Sequence, residues 1–103
     1  MNALPNNVLT LEEYFRLEET SDIKHEYFAG AIYDMTGASL AHNAIALSIA
    51  TQLKQQLQGK PCRPYAIDLR VKIETTFLYT YPDIMVICGQ PRFADGRNDT
   101  VTN

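Results

Sequence analysis

Two carboxylates and one imidazole in this sequence have the side-chain types and settings expected of a hydrolytic site. Asp83 follows Pro82 at the head of an apolar run, Glu26 lies in a strand-like segment, and His42 falls at the start of a helical one. Carboxylates brought to one edge of a sheet form an oxygen-rich site that suits Mg²⁺ or Mn²⁺. Such an ion polarises a phosphoryl oxygen and activates a water molecule. The hypothesis is therefore a metal-dependent phosphate-ester hydrolase.

Each of these residues also has a plainer interpretation. Glu26 shares a strand face with Phe28, and the pattern alone favours an edge-strand charge that faces water. His42 is compatible with a surface or capping residue. Asp83 requires a partner if its strand is buried, because an unpaired buried charge is costly.

Two helices and a hairpin are predicted in the first sixty residues. Thr10 and Glu13 form a capping-box pattern, which predicts a helix that ends at about Glu19. The segment 24–35 predicts a β-hairpin with its turn at Ala29–Gly30, because Gly30 tolerates positive φ. Ser39 caps a second helix whose apolar residues recur every four positions, which predicts packing on a sheet: Ile45, Ile49, Leu53 and Leu57.

Two strands are predicted to follow. The segment 68–74 alternates, which places Leu69, Val71 and Ile73 inward and Arg70 outward. The continuous apolar run in 79–88 predicts a central strand buried on both faces, with Asp83 at its mouth. The polar residues 92–103 predict a loop or tail, and residues 1–8 a flexible N-terminus.

Composition limits the classes of function. A chain of 103 residues with 46% hydrophobic residues fits one small domain. It has neither a signal-peptide pattern nor an apolar run of the ~20 residues that a membrane span needs, so we expect a cytoplasmic protein. The net charge of −3 argues against binding nucleic acid by bulk charge alone. Cys62 and Cys88 are expected to be reduced thiols, Cys88 in the core, although a disulfide is geometrically possible.

The ordered segments resemble the Uma2 (DUF820) family, which is grouped with the PD-(D/E)XK nucleases. The resemblance covers the chain from about Thr10 to Asn103 and rests on five runs in matching order: 10–14, 27–35, 39–42, 68–71 and 81–86. It implies an α/β, restriction-endonuclease-like core in the order helix–hairpin–helix–strand–strand, with a mixed sheet and flanking helices. It also implies an endonuclease that cleaves DNA with Mg²⁺ or Mn²⁺.

Carried over by position, Glu26 matches the family's early acidic residue and Asp83 the Asp of its "PD" element. Both are the implied catalytic and metal-binding residues. His42 matches a histidine that recurs at the head of the central helix; the resemblance assigns it no definite role, and it is a candidate accessory residue. The family's next strand carries a Glu, followed by a Lys, and both positions lie beyond Asn103. Neither Lys60 nor Lys72 stands in a matching position. We therefore expect an incomplete site and a chain that is inactive alone.

Two functions from different classes follow. The first is a Uma2-like endonuclease domain whose site this chain holds only in part. The second is a non-catalytic interaction module on the same scaffold. A sheet that stops beside the strand of Asp83 leaves an unpaired edge, which predicts homo-oligomerisation.

Overall fold

The computed structural model describes residues 8–35, 37–66 and 68–102, so the predicted flexible N-terminus lies outside the described residues except for Val8. Two helices and seven strands occur in this part of the chain: α1 (Leu11–Thr20), β1 (His25–Phe28), β2 (Ala31–Asp34), α2 (Leu40–Gln56), β3 (Cys62–Ala66), β4 (Arg70–Ile73), β5 (Leu78–Thr80), β6 (Ile84–Cys88) and β7 (Thr100–Val101). No described helix is long and apolar enough to cross a membrane. The α/β class is confirmed.

The chain forms two compact units. The first comprises Met1–Gly37 and Lys72–Thr80, and the second comprises Ala38–Val71 and Tyr81–Asn103. Strand β4 contributes its last two residues to the first unit and its first two to the second.

In the first unit, α1 begins at the predicted cap. The Thr10 hydroxyl accepts a hydrogen bond from the Glu13 amide (3.2 Å), and the Glu13 carboxylate accepts one from the Thr10 amide (2.9 Å). The capping box is confirmed, and it satisfies two amides that have no partner within the helix.

The β1–β2 hairpin is also confirmed. The strands are antiparallel, with Phe28 opposite Ala31. Both turn residues have positive φ, 52° at Ala29 and 81° at Gly30, as a two-residue turn requires. A Cβ atom at Gly30 would lie 2.9 Å from Val8 Cγ1, so glycine serves both the conformation and the close approach.

Aromatic side chains fill the core of the first unit. Tyr14, Phe15, Ile32 and Tyr79 are buried together. The ring of Tyr14 stacks on that of Tyr27 at 4.8 Å, and its hydroxyl donates to the His25 carbonyl at 2.6 Å. The strand order here is β2-β1-β5, and Tyr27 pairs with Tyr79. Helix α1 thus packs on the sheet through its aromatic residues.

In the second unit, α2 begins at the predicted cap Ser39, whose hydroxyl accepts from the His42 amide at 3.1 Å. The predicted packing of its apolar stripe is only half right. Leu53 and Leu57 are half-buried, but Ile45 and Ile49 are exposed, and no residue of the helix is buried.

The strand β3 was not predicted, and it changes the environment of β6. These two strands form a two-stranded antiparallel sheet in which Cys62 lies directly opposite Cys88. A disulfide joins the two cysteines, so the expectation of reduced thiols is wrong.

The prediction that β6 is a central strand buried on both faces is also wrong. Within β6 only Ile87 is buried, and β3 is the one strand that pairs with β6 in the described part of the chain.

The prediction that Arg70 faces outward is wrong as well. Its side chain is buried, whereas Ile73 of the same strand is exposed. The segment 92–103 is not merely a loop or tail, because its β7 pairs in parallel with the start of β4, Arg70 opposite Thr100. Antiparallel pairs and this parallel pair together confirm the predicted mixed character of the sheet structure.

Candidate functional site

The side chains of His42 and Asp83 contact each other in the second unit. Nε2 of His42 lies 2.9 Å from Oδ2 of Asp83, and the side chains are 48% and 67% exposed. The Ser39 cap fixes the first turn of α2, which carries His42. Pro82 has no amide hydrogen and precedes Asp83 just before β6, so Asp83 stands at the entry to the ladder. The sequence singled out both residues, and the structure brings them together.

Glu26 belongs to the first unit. It lies in β1 opposite Tyr33, and the Thr80 hydroxyl of β5 donates a hydrogen bond to its Oε2. The carboxylate is therefore oriented by a neighbouring strand and is only half-buried. Its predicted role as a partner of Asp83 stays a prediction, because the two residues belong to different units.

The donors present fit part of a divalent-cation site. Mg²⁺ commonly takes one or two protein carboxylates and fills its remaining positions with water and substrate phosphate. The exposed Asp83 carboxylate meets this requirement, and its Oδ1 lies outside the contact with His42. No group of three His, Cys, Asp or Glu side chains in residues 8–35, 37–66 and 68–102 is arranged to hold a metal ion. The described donors therefore supply one exposed carboxylate and not a complete set of protein ligands.

A second histidine was missed by the sequence reasoning. His25 is buried in the first unit, with Nδ1 2.7 Å from Glu18 Oε1 and Nε2 3.3 Å from Asp34 Oδ1. Its amide also donates to Glu18 at 3.0 Å. Both ring nitrogens are engaged by carboxylates, so His25 orients α1 and the hairpin. The three residues come from three elements, and no spacing rule connects them.

Arg70 is the centre of a buried polar network in the second unit. Its guanidinium donates to the Thr100 hydroxyl (2.8 Å), the Tyr81 hydroxyl (3.1 Å) and the Asp99 carboxylate (3.1 Å). Hydrogen bonds from Arg97 are the largest of the effects that hold the pKa of Asp99 below its usual value, with Thr100 and Arg70 adding to them against partial burial. This network fixes β4 to β7.

Comparison with known proteins places the chain in a family. The model of the Uma2 family, described as "Putative restriction endonuclease", matches residues 11–102. The uncharacterized protein sll1609 of Synechocystis sp. (strain ATCC 27184 / PCC 6803 / Kazusa) is 33% identical over 103 residues, which are 100% of this chain and 58% of that protein. The uncharacterized protein slr1290 of the same organism is 41% identical over 86 residues, 84% of this chain and 45% of that protein.

A solved structure shares the fold. The crystal structure of "a putative nuclease belonging to DUF820" from Anabaena variabilis ATCC 29413 superposes with a TM-score of 0.67 at 23% identity. The match covers 92% of this chain and 51% of that one. The chain thus shares the α/β fold of that structure. The chain belongs to the Uma2 family, and it spans about half the length of the relatives that it matches.

Proposed function

We propose that this chain carries part of the site of a metal-dependent endonuclease that hydrolyses phosphodiester bonds of DNA. The observation that supports the proposal most directly is the contact of 2.9 Å between His42 Nε2 and Asp83 Oδ2 in a solvent-accessible position. It brings a carboxylate oxygen and an imidazole ring together at one point, in a chain whose family is described as "Putative restriction endonuclease".

The roles follow from the chemistry of these groups. Asp83 would hold the cation through its outward carboxylate oxygen, and Glu26 is the second proposed carboxylate. A cation bound there would stabilise charge on a phosphoryl oxygen and lower the pKa of an attacking water. His42 fixes the Asp83 carboxylate through Nε2, which leaves Nδ1 as the ring nitrogen able to exchange a proton with solvent or substrate.

We further propose that the chain alone is weakly active or inactive. The described residues supply few donors, and a phosphoryl-transfer site also needs a positive group to stabilise the developing charge. Robust cation-dependent cleavage of plasmid DNA by the purified chain, lost in Asp83→Ala, would contradict this.

Metal binding tests the proposed ligands without requiring turnover. Mn²⁺ added to ¹⁵N-labelled protein should broaden the amide signals around Asp83 and His42, because a paramagnetic ion relaxes nearby nuclei. Asp83→Asn should abolish the broadening, and Glu26→Gln should weaken it if Glu26 shares the ion. Asp95→Asn is the matched control, since this exposed carboxylate also lies in the second unit. Broadening that survives Asp83→Asn would refute the assignment.

A second candidate function, a non-catalytic module that self-associates, has its own support. Large apolar side chains of α2 lie exposed, among them Leu40, Ile45, Leu47 and Ile49. Within the described residues β6 pairs with β3 alone, so this sheet can accept another strand. Light scattering after size exclusion tests the candidate, and a monomer at high protein concentration would exclude it.

A further inference from the structure

A basic cleft lies in the second unit, at the end of α2 remote from His42. Its volume is about 690 Å³, and the end of α2, the loop into β3 and the segment after β6 line it. This volume falls within the range of ~300–1,000 Å³ that is typical of ligand pockets. The Cys62–Cys88 disulfide joins β3 to β6 beside the cleft, and the Gly89 amide donates to the Pro61 carbonyl at 2.7 Å. The cleft is therefore covalently braced.

The charge of this cleft is opposite to that of the whole chain. Lys54, Lys60 and Arg63 line it, and no Asp or Glu is among its described lining residues. Three of the nine Lys and Arg residues of a chain with net charge −3 thus gather at one place. All three side chains are exposed. Three like charges in one cleft repel each other, and a bound polyanion relieves that repulsion.

We propose that this cleft binds the phosphodiester backbone of a nucleic acid. The inference rests on the proposed function, which supplies the substrate class, and it adds the surface that holds that substrate away from the reacting bond. Tyr65 also lines the cleft and offers an aromatic face to an unstacked base. Binding by a local cleft explains how an acidic chain can hold a polyanion.

The distance to the candidate site fits an extended substrate. His42 and Lys54 both lie in α2, twelve positions apart, which at ~1.5 Å per residue is about 18 Å along the helix. Nucleotides of one strand in a duplex advance ~3.4 Å each, so about five nucleotides cover that length. A strand of about five nucleotides therefore matches the length of α2 between the cleft and His42.

Salt-dependent binding tests the cleft separately from catalysis. Fluorescence anisotropy of a labelled oligonucleotide is measured in EDTA over a range of KCl concentrations, for single-stranded and duplex DNA. The triple variant Lys54→Gln/Lys60→Gln/Arg63→Gln should bind more weakly. Its slope of log affinity against log salt should fall in magnitude by about 2.7 for duplex and about 2 for single strands, if each cation meets one phosphate.

Two control variants distinguish DNA binding at the cleft from DNA binding through the overall charge of the chain. Arg16→Gln/Lys24→Gln removes two cations from the first unit and should leave the salt slope unchanged. Lys54→Arg/Lys60→Arg/Arg63→Lys keeps the charge of the cleft and should retain binding. Thermal unfolding of each variant verifies that it folds, which is expected because the substituted cleft residues are exposed.

The outcomes are distinct. Unchanged affinity and slope in the triple variant would overturn the proposal. Competition by poly-glutamate as effective as by DNA would also overturn it, since the cleft would then recognise any polyanion. Because EDTA removes divalent cations, the DNA affinity measured in this experiment does not depend on metal binding at Asp83. Conversely, loss of Mn²⁺ binding in Asp83→Asn bears only on the proposed function.

Discussion

The two units of this chain are held together in different ways. The first has an aromatic core in which Tyr14 is fully buried between α1 and the strands. The second contains α2, the longer of the two described helices, and no residue of α2 is buried. Its bracing comes from the Cys62–Cys88 disulfide and from the buried guanidinium of Arg70.

The buried aromatic core and the candidate functional groups thus lie in different units. The candidate functional groups His42 and Asp83 and the basic cleft all lie in the second unit, where side chains are available to ligands. The first unit gains stability from apolar burial, which is worth about 25 cal/mol per Å². The second also buries apolar side chains, namely Ile87, Ala94 and Val101, and adds to them a crosslink and a buried, hydrogen-bonded guanidinium. Substitutions in the two units should therefore have different costs and respond to different conditions.

The largest expected effect is at Tyr14. Tyr14→Ala should lower the free energy of unfolding by about 3–5 kcal/mol, because it empties a fully buried aromatic site. Urea denaturation measures this loss. Tyr14→Phe is the matched control and should cost only about 1 kcal/mol, for the hydrogen bond to the His25 carbonyl. Equal losses in the two variants would show that the hydroxyl, and not the packed ring, stabilises the unit.

The disulfide comes next. Cys62→Ser/Cys88→Ser should lower the free energy of unfolding by about 3 kcal/mol, since the bond closes a loop between residues 26 positions apart. Hydrogen exchange should locate the loss in β3 and β6 and not in the first unit. A reductant should destabilise the native chain to the same extent and leave the double variant unaffected. A native chain that is insensitive to reductant would contradict this account.

Arg70 should matter nearly as much. Arg70→Met should cost about 2–3 kcal/mol, below the ~3–5 typical of a broken buried pair because Asp99 is half-exposed and partly solvated. The Thr100 hydroxyl loses its donor in the interior. Thr100→Val in the Arg70→Met background should recover part of the loss, and chemical denaturation measures both. If Arg70→Met left the free energy of unfolding unchanged, β7 would pack on β4 without help from this network.

The same network should make the second unit sensitive to acid. The pKa of Asp99 is lowered in the folded state, chiefly by its hydrogen bonds from Arg97. Its stabilising contribution is therefore complete above the usual Asp pKa and is lost as the pH falls through the lowered value. Asp99→Asn should flatten the stability profile in that acidic window only. The free energy of unfolding of Asp99→Asn should lie below that of the native chain by a constant amount near neutral pH, and the two values should converge in acid. Parallel profiles over the whole pH range would contradict this expectation.

Local signals in the sequence predicted the helix starts, the hairpin and its turn, because caps and two-residue turns depend on neighbouring residues. The pairing of Cys62 with Cys88 was not predictable, since it depends on β3. In that short strand Pro64 and the charged Arg63 obscure the alternating pattern of a strand. The alternation in β4 gave the wrong face for Arg70, because its partners Thr100 and Asp99 are distant in sequence. Glu26, His42 and Asp83 were singled out from their residue types and settings, and the family resemblance matched them to its positions; the contact between His42 and Asp83 is a finding of the structure.

The smallest effects are expected on the apolar surface of α2. Leu47→Ala and Ile49→Ala should each change the free energy of unfolding by no more than about 0.5 kcal/mol, because both side chains are exposed and alanine favours a helix. The measurement is made at concentrations where light scattering gives a monomer. A loss above about 1.5 kcal/mol would mean that these residues are buried in solution. If that loss grew with protein concentration, the contact would lie between copies of the chain, and the second unit would owe its stability to association as well as to its crosslink.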